Sequence, residues 1–239
     1  MPLAHIHVPK SPRGWRDALV DIAIIGVGVL IALGLEQMTQ RLEWRHKAGV
    51  SKAAMSRELL WDNGPQIYQR AAMHSCLVEK IDAIRGAVEA GKGRQQISDL
   101  IAGYHLDFVT FDSLALSAAN SADVAPHMKP DELNIFLDAY SAIPTMDRVN
   151  AAEAADLARL RALKRSGGRL TQYEEAEVLA GVEALRNDEE QMWTAAKTAL
   201  PAIARLDGRI DPQRTQKFMA TARAAYGDCV QDLPPGWSG

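Results

Sequence analysis

From Ile22 to Leu35 every residue is apolar or glycine (Ile22-Ala-Ile-Ile-Gly-Val-Gly-Val-Leu-Ile-Ala-Leu-Gly-Leu35). As a helix these 14 residues reach about 21 Å at 1.5 Å per residue. A membrane span needs about 20 residues. Extending the run back to Ala18 gives about 27 Å and takes in Asp21. Past Leu35 the pattern changes to apolar positions every three or four residues, the spacing of one helix face. A long helix is predicted from about Gly14 through this run towards Trp61, with Asp62-Asn-Gly-Pro65 breaking or kinking it. The next helix, Pro65 to Glu89, carries the stripe Ile67, Ala71, Val78, Ile81 and Val88, and Gly91-Lys-Gly93 closes it. A short helix from about Ser98 and a small-residue helix at Ser113–Asn120 follow.

Pro130 opens a helix with Leu133, Phe136, Leu137 and Tyr140 inward, which Pro144 interrupts; Ala151 to Arg165 resumes with Leu157, Leu160 and Leu163. Gly167-Gly168 is a turn, and Thr171-Gln-Tyr-Glu174 is a capping box. The helix it starts is apolar at Val178, Val182, Leu185, Met192, Ala196, Ala199, Ile203 and Leu206, a pattern broken only at Glu189. Asp211-Pro212 starts the last helix, with Phe218, Ala222, Ala225 and Cys229 on one stripe. No alternating run of strand length occurs. The expected fold class is all-α: an N-terminal transmembrane helix followed by an irregular up-and-down helical bundle. The expected segments are a short arm at 1–13, an anchor helix at 14–36, a helical domain at 37–230 and a flexible tail at 231–239.

Composition agrees. The chain has 239 residues, 47% hydrophobic and 24% charged, enough apolar surface for a core. Lys and Arg number 27 against 30 Asp and Glu, so no basic field favours nucleic acid.

Three readings of the apolar run compete: a signal-anchor span, a cleaved signal peptide ending near Ala32-Leu33-Gly34, and a buried core helix. Asp17, Asp21 and the unbroken helical pattern through Glu36, Leu42 and Trp44 argue against cleavage. Apolarity on every face argues against a core helix. The anchor is the favoured reading, with Trp15 and Arg16 at the interface. Positive charges lie on both sides (Lys10, Arg13 and Arg16; Arg41, Arg45, Lys47 and Lys52), so they do not orient the span. A short N-terminus is retained in the cytoplasm most easily, and a signal-anchor exports the larger C-terminal part.

The stretch from Trp15 to Gln37 resembles the N-terminus of a group of uncharacterised bacterial single-span membrane-anchored proteins. Their chains open with a similar "IGVLIAL" segment and continue as a helical domain; some have a small-residue patch similar to Ser113–Asn120. The resemblance covers about a tenth of the chain and implies an anchor and a helical domain, without an activity. The expected location is the bacterial inner membrane, with the N-terminus cytoplasmic and the C-terminal domain periplasmic.

The chemistry of the chain is sparse. Gly26-Val-Gly28 lies inside the apolar run and lacks a dinucleotide loop's third glycine, and Ala90–Arg94 lacks P-loop spacing. No metalloprotease or nucleophile-elbow motif occurs. His5 and His7 make a poor metal site, and His46, His74, His105 and His127 read as ordinary surface or core residues. Glu174-Glu175 and Glu189-Glu190 read as solvated faces. No catalytic residue, cofactor or metal is expected. On the span, Asp21, Ile25, Gly28, Ala32, Leu35 and Glu36 share one stripe, and Gly28-x-x-x-Ala32 permits close backbone approach in lipid. A carboxylate in lipid is costly unless it faces protein, water or a cation. Two readings stand: the stripe is a packing face for a second copy or another membrane protein, or Asp21 sits in the headgroup region and Gly28 is simply tolerated in a membrane helix.

Two cysteines, Cys76 and Cys229, lie on or beside apolar stripes. In an exported domain an even count suits one bridge. The leading function is a membrane-anchored interaction or structural protein, as an accessory subunit of a membrane assembly. The alternative is an exported ligand-binding or sensory domain acting through a partner, which requires a pocket with converging polar groups.

Overall fold

The computed structural model describes residues 14–106, 108–163 and 168–234. Among these residues every regular element is a helix, and the single backbone bridge outside helices pairs Gly93 with Arg169. The chain divides into two compact units, Met1–Lys47 and Ala48–Gly239. The expected arm at 1–13, with His5 and His7, lies outside the described residues.

The first unit is dominated by helix α1 (Gly14–Arg57). Its most apolar window has a mean hydropathy of 2.3, and none of that window is buried. Ile22, Ile24, Ile25, Leu30 and Leu35 are all largely exposed. A core helix would hide these side chains, so that reading fails. One long apolar N-terminal helix remains, with the dimensions of a membrane anchor or a signal sequence.

In the second unit, a π-helical turn, Glu58–Asn63, leads into α2 (Gly64–Ala72). Here the expected break at Asp62–Pro65 is corrected: the backbone stays helical. The Gly64 N–H donates to Leu59 O, one residue further back than in an α-helix. Pro65 has no N–H to offer. The carbonyls it leaves are taken up elsewhere: Asp211 N donates to Leu60 O at 2.9 Å, and Arg214 Nη1 donates to Trp61 O at 2.6 Å.

Met73 separates α2 from α3 (His74–Glu89), so the expected single helix from Pro65 to Glu89 is two. Then come α4 (Arg94–Ala102), α5 (Leu114–Ser121) and α6 (Pro130–Tyr140). Helix α7 (Ile143–Arg161) begins where Pro144 was expected to interrupt. A proline in the first turn forfeits no intrahelical bond, so it starts the helix. In α6, Phe136 and Tyr140 are buried as expected, but Leu137 is largely exposed.

The capping box forms as read: Glu174 N donates to Thr171 Oγ1, and Thr171 N donates to Glu174 Oε2, opening α8 (Gln172–Ile203). Helix α9 (Pro212–Tyr226) is capped by Asp211 and buries Met219 and Ala222; Ala225 is exposed, which corrects the expected stripe. Cys229 lies beyond α9 in a 3-10 turn, Gly227–Cys229.

Helix α8 is the hub. It packs against α2, α3, α6 and α7, while α2 also packs on α9. Gly181 lets Leu160 of α7 lie close against α8: a Cβ there would lie 2.7 Å from Leu160 Cδ2. Residues 231–234 of the expected tail are tethered on α2: Gln231 N donates to Ala72 O and Leu233 N to Tyr68 Oη.

Candidate functional site

Two helices packed on the hub, α2 and α7, and the hub α8 itself carry a charge on the apolar stripe. On α2, Arg70 follows Ile67 by three residues and precedes Ala71. On α7, Glu153 sits between Val149 and Leu157. On α8, Glu189 sits between Leu185 and Met192. The apolar neighbours are all buried, so helical geometry carries the charges inward with them. Glu153 and Glu189 have no exposed surface, and Arg70 keeps 7%.

The three side chains converge. Arg70 Nη2 donates to Glu153 Oε1 at 2.5 Å, to Glu153 Oε2 at 2.6 Å and to Glu189 Oε2 at 2.6 Å. Arg70 Nε and Nη1 have no acceptor among the described residues. His74 Nδ1 lies 3.0 Å from the other oxygen of Glu189. The His74 ring stacks on Trp193, centroids 4.7 Å apart and planes 6° from parallel. Tyr104, fully buried after α4, directs its hydroxyl at Glu153 Oε1 (3.5 Å) and accepts from Arg161 Nη2 through its carbonyl. Asp188, also buried, has an oxygen without a donor among the described residues.

Burial decides the electrostatics. Loss of solvent pushes the Glu153 carboxyl up to about 7; Arg70 opposes the rise, and Glu189 adds to it. Against its own desolvation, Arg70 is held above its ordinary value by Glu189 and Glu153. Burial raises Tyr104 well above the ordinary phenol range. It also raises Asp188, helped by Asp156 nearby. With both glutamates ionised, one guanidinium faces two carboxylates, and the group carries one uncompensated negative charge. A single proton removes it.

The expectation that Glu189-Glu190 forms a solvated face is therefore corrected. Adjacent residues on a helix point about 100° apart. Glu190 is half exposed and pairs loosely with Arg186, whereas Glu189 is buried. Glu174 is also engaged: Arg94 grips it with two bonds of 2.6 Å, and this pairing, with the Thr171 cap, lowers its carboxyl to about 2. The break in the α8 stripe at Glu189 was the available signal for the buried cluster. Read with Glu153 four residues before Leu157 and Arg70 three after Ile67, it marks three charges at core positions.

The expected membrane face, Asp21, Ile25, Gly28, Ala32, Leu35 and Glu36, lies exposed along α1. A Cβ at Gly28 would meet nothing within 4 Å. Trp15 is 72% exposed, and the Arg16 side chain lies outside the described set. The cysteines are brought together: Cys76 on α3 is disulfide-bonded to Cys229, with Cα atoms 5.6 Å apart. Among the described residues no group of three or more His, Cys, Asp or Glu is placed to hold a metal. A groove of about 700 Å³ runs beside α8, lined by Ser141, Thr145, Asn187, Gln191, Thr194 and Thr198.

No family sequence model, curated protein or solved structure matches the chain.

Proposed function

We propose that the chain is a membrane-tethered helical interaction protein: α1 is retained as a single-span anchor, and the helical domain engages another protein as an accessory part of a membrane assembly. The observation that carries this reading is the uncovered apolar surface of α1. Each such aliphatic side chain gains about 1.5–3 kcal/mol when removed from water, and lipid is the medium that removes them all. The resemblance of Trp15–Gln37 to bacterial membrane-anchored proteins points the same way. The proposed topology is a cytoplasmic N-terminus, a span in the inner membrane and a helical bundle in the periplasm. The Cys76–Cys229 bridge supports that side, because disulfides persist in oxidising compartments.

In this reading the face Asp21–Gly28–Ala32 packs against a second copy or another membrane protein. Leucine at both Gly28 and Ala32 blocks close approach and leaves hydrophobicity intact. The test is crosslinking in membranes, followed by purification in mild detergent and mass spectrometry. The double variant is expected to insert normally and to lose its crosslinked partner or dimer. Unchanged crosslinking in the variant counts against the face, and absence of any stoichiometric protein counts against the interaction reading. A co-purifying small molecule would favour the alternative, a ligand-binding domain. The groove beside α8, lined by hydroxyls, amides, alanines and the Glu190 carboxylate, supports that second reading.

A further inference from the structure

The cluster at Arg70 links four helices through polar side chains. Arg70 belongs to α2, His74 to α3, Glu153 to α7 and Glu189 to α8, and their polar bonds lie within the hydrophobic core. We propose that this cluster is a proton-operated latch: with one proton on its carboxyl pair the buried charges balance and clamp α2 between α7 and α8, and without that proton the clamp loosens.

The argument is one of stoichiometry and burial. Arg70 spends a single nitrogen, Nη2, on both glutamates, while its other two nitrogens find no acceptor among the described residues. One cation therefore sits against two fully buried anions, where an unbalanced charge is costly. Among the described residues, Arg70 is the cation that acts on Glu153. Tyr104 faces it from the segment after α4, as a neutral phenol. Tyr226 of α9 is another neutral phenol, raised to about 12 mainly by burial. Asp188 of α8 adds negative charge, with Asp156 and Arg148 of α7 disposed about it. Arg161, at the end of α7, is occupied by the Tyr104 carbonyl. Glu189 has His74 beside it, a group that carries charge only when protonated. His74 keeps a fifth of its side chain exposed and gives the cluster its contact with solvent.

The direction follows from linkage. A Glu153 carboxyl raised by burial from 4.5 to about 7 binds its proton more tightly in the fold than in the unfolded chain. Between these two values the folded chain holds more protons than the unfolded chain. Stability from this group is thus complete below about pH 4.5, declines as pH rises, and is gone above about pH 7. This is the reverse of an ordinary ion-paired carboxylate.

The test uses the full chain in detergent micelles. Thermal unfolding is followed by circular dichroism from about pH 5 to about pH 8, for the native chain and for Glu153→Gln, which keeps the shape and stays neutral. The native chain is expected to lose stability across this range, and E153Q is expected to show a flattened profile. A native profile without that loss, or an equal slope in E153Q, overturns the proposal. Infrared difference spectroscopy of the native chain decides the matter if E153Q does not fold. It is expected to show a protonated buried carboxyl at about pH 6 that disappears by about pH 8; its absence at the lower pH overturns the proposal.

Discussion

Replacing Arg70 with methionine is the sharpest perturbation of the interior. Methionine keeps an unbranched stem of similar reach and removes the guanidinium with its three contacts of 2.5–2.6 Å. Glu153 and Glu189 then face each other in the core with no cation between them. Breaking a buried ion pair from one side costs about 3–5 kcal/mol, because the remaining charge stays desolvated. That is a large part of the roughly 5–15 kcal/mol that holds a typical domain together. The full chain in detergent, unfolded by urea and followed by circular dichroism, gives the difference directly. At about pH 8 the R70M chain is expected to lose about 3–5 kcal/mol. At about pH 5 the loss is smaller, because Glu153, already raised by burial, carries its proton. Lys217→Met, on the exposed side of α9, serves as the control and stays within about 0.5 kcal/mol. If R70M matches the native chain within about 1 kcal/mol at both pH values, the buried charges do not hold the helices together and the electrostatic reasoning fails.

Two further substitutions probe other joints. Gly181→Val puts a side chain where Leu160 already lies 2.7 Å from an added Cβ, so overpacking at the α7–α8 contact should cost about 1–3 kcal/mol in the same unfolding experiment. Cys229→Ser opens a loop with a sequence separation of 153 and should cost about 2–5 kcal/mol. On non-reducing gels the serine variant should migrate like the reduced native chain; if the native chain itself shows no shift on reduction, the bridge is absent.

The sequence revealed more of the local structure than of the interior. Helix starts were legible because they depend on near neighbours: the Thr171–Glu174 box and the Asp211 cap form as their residue types dictate. The apolar run of α1 was legible for the same reason. Of the break or kink expected at Pro65 the break does not form, because the proline's effect depends on distant residues. Asp211 and Arg214 take up the carbonyls that the proline leaves, and the chain widens into a π-turn instead of breaking. Pro144 was read as an interruption before a helix resuming at Ala151, whereas the chain uses it to begin α7. The buried cluster was hidden for a different reason. A charge on an apolar stripe reads as an interruption while each helix is considered alone. It becomes a pairing once α2, α7 and α8 meet, with 83 residues between Arg70 and Glu153 and 119 between Arg70 and Glu189. The disulfide was inferable from the even cysteine count once export was expected, and the return of the segment after α9 to α3 supplies the juxtaposition.

The central claim is that α1 anchors the chain in a membrane with the helical domain on the outer side. Fusing alkaline phosphatase, an enzyme active only after export, behind Gly239 and assaying carbonate-washed bacterial membranes tests both parts at once. The account predicts phosphatase activity that stays with the washed membranes, on a fusion whose mass includes the uncleaved N-terminus. Activity released into the soluble fraction on a shortened chain would make α1 a cleaved signal sequence, and membrane-bound fusion without activity would place the domain in the cytoplasm; either result contradicts the account.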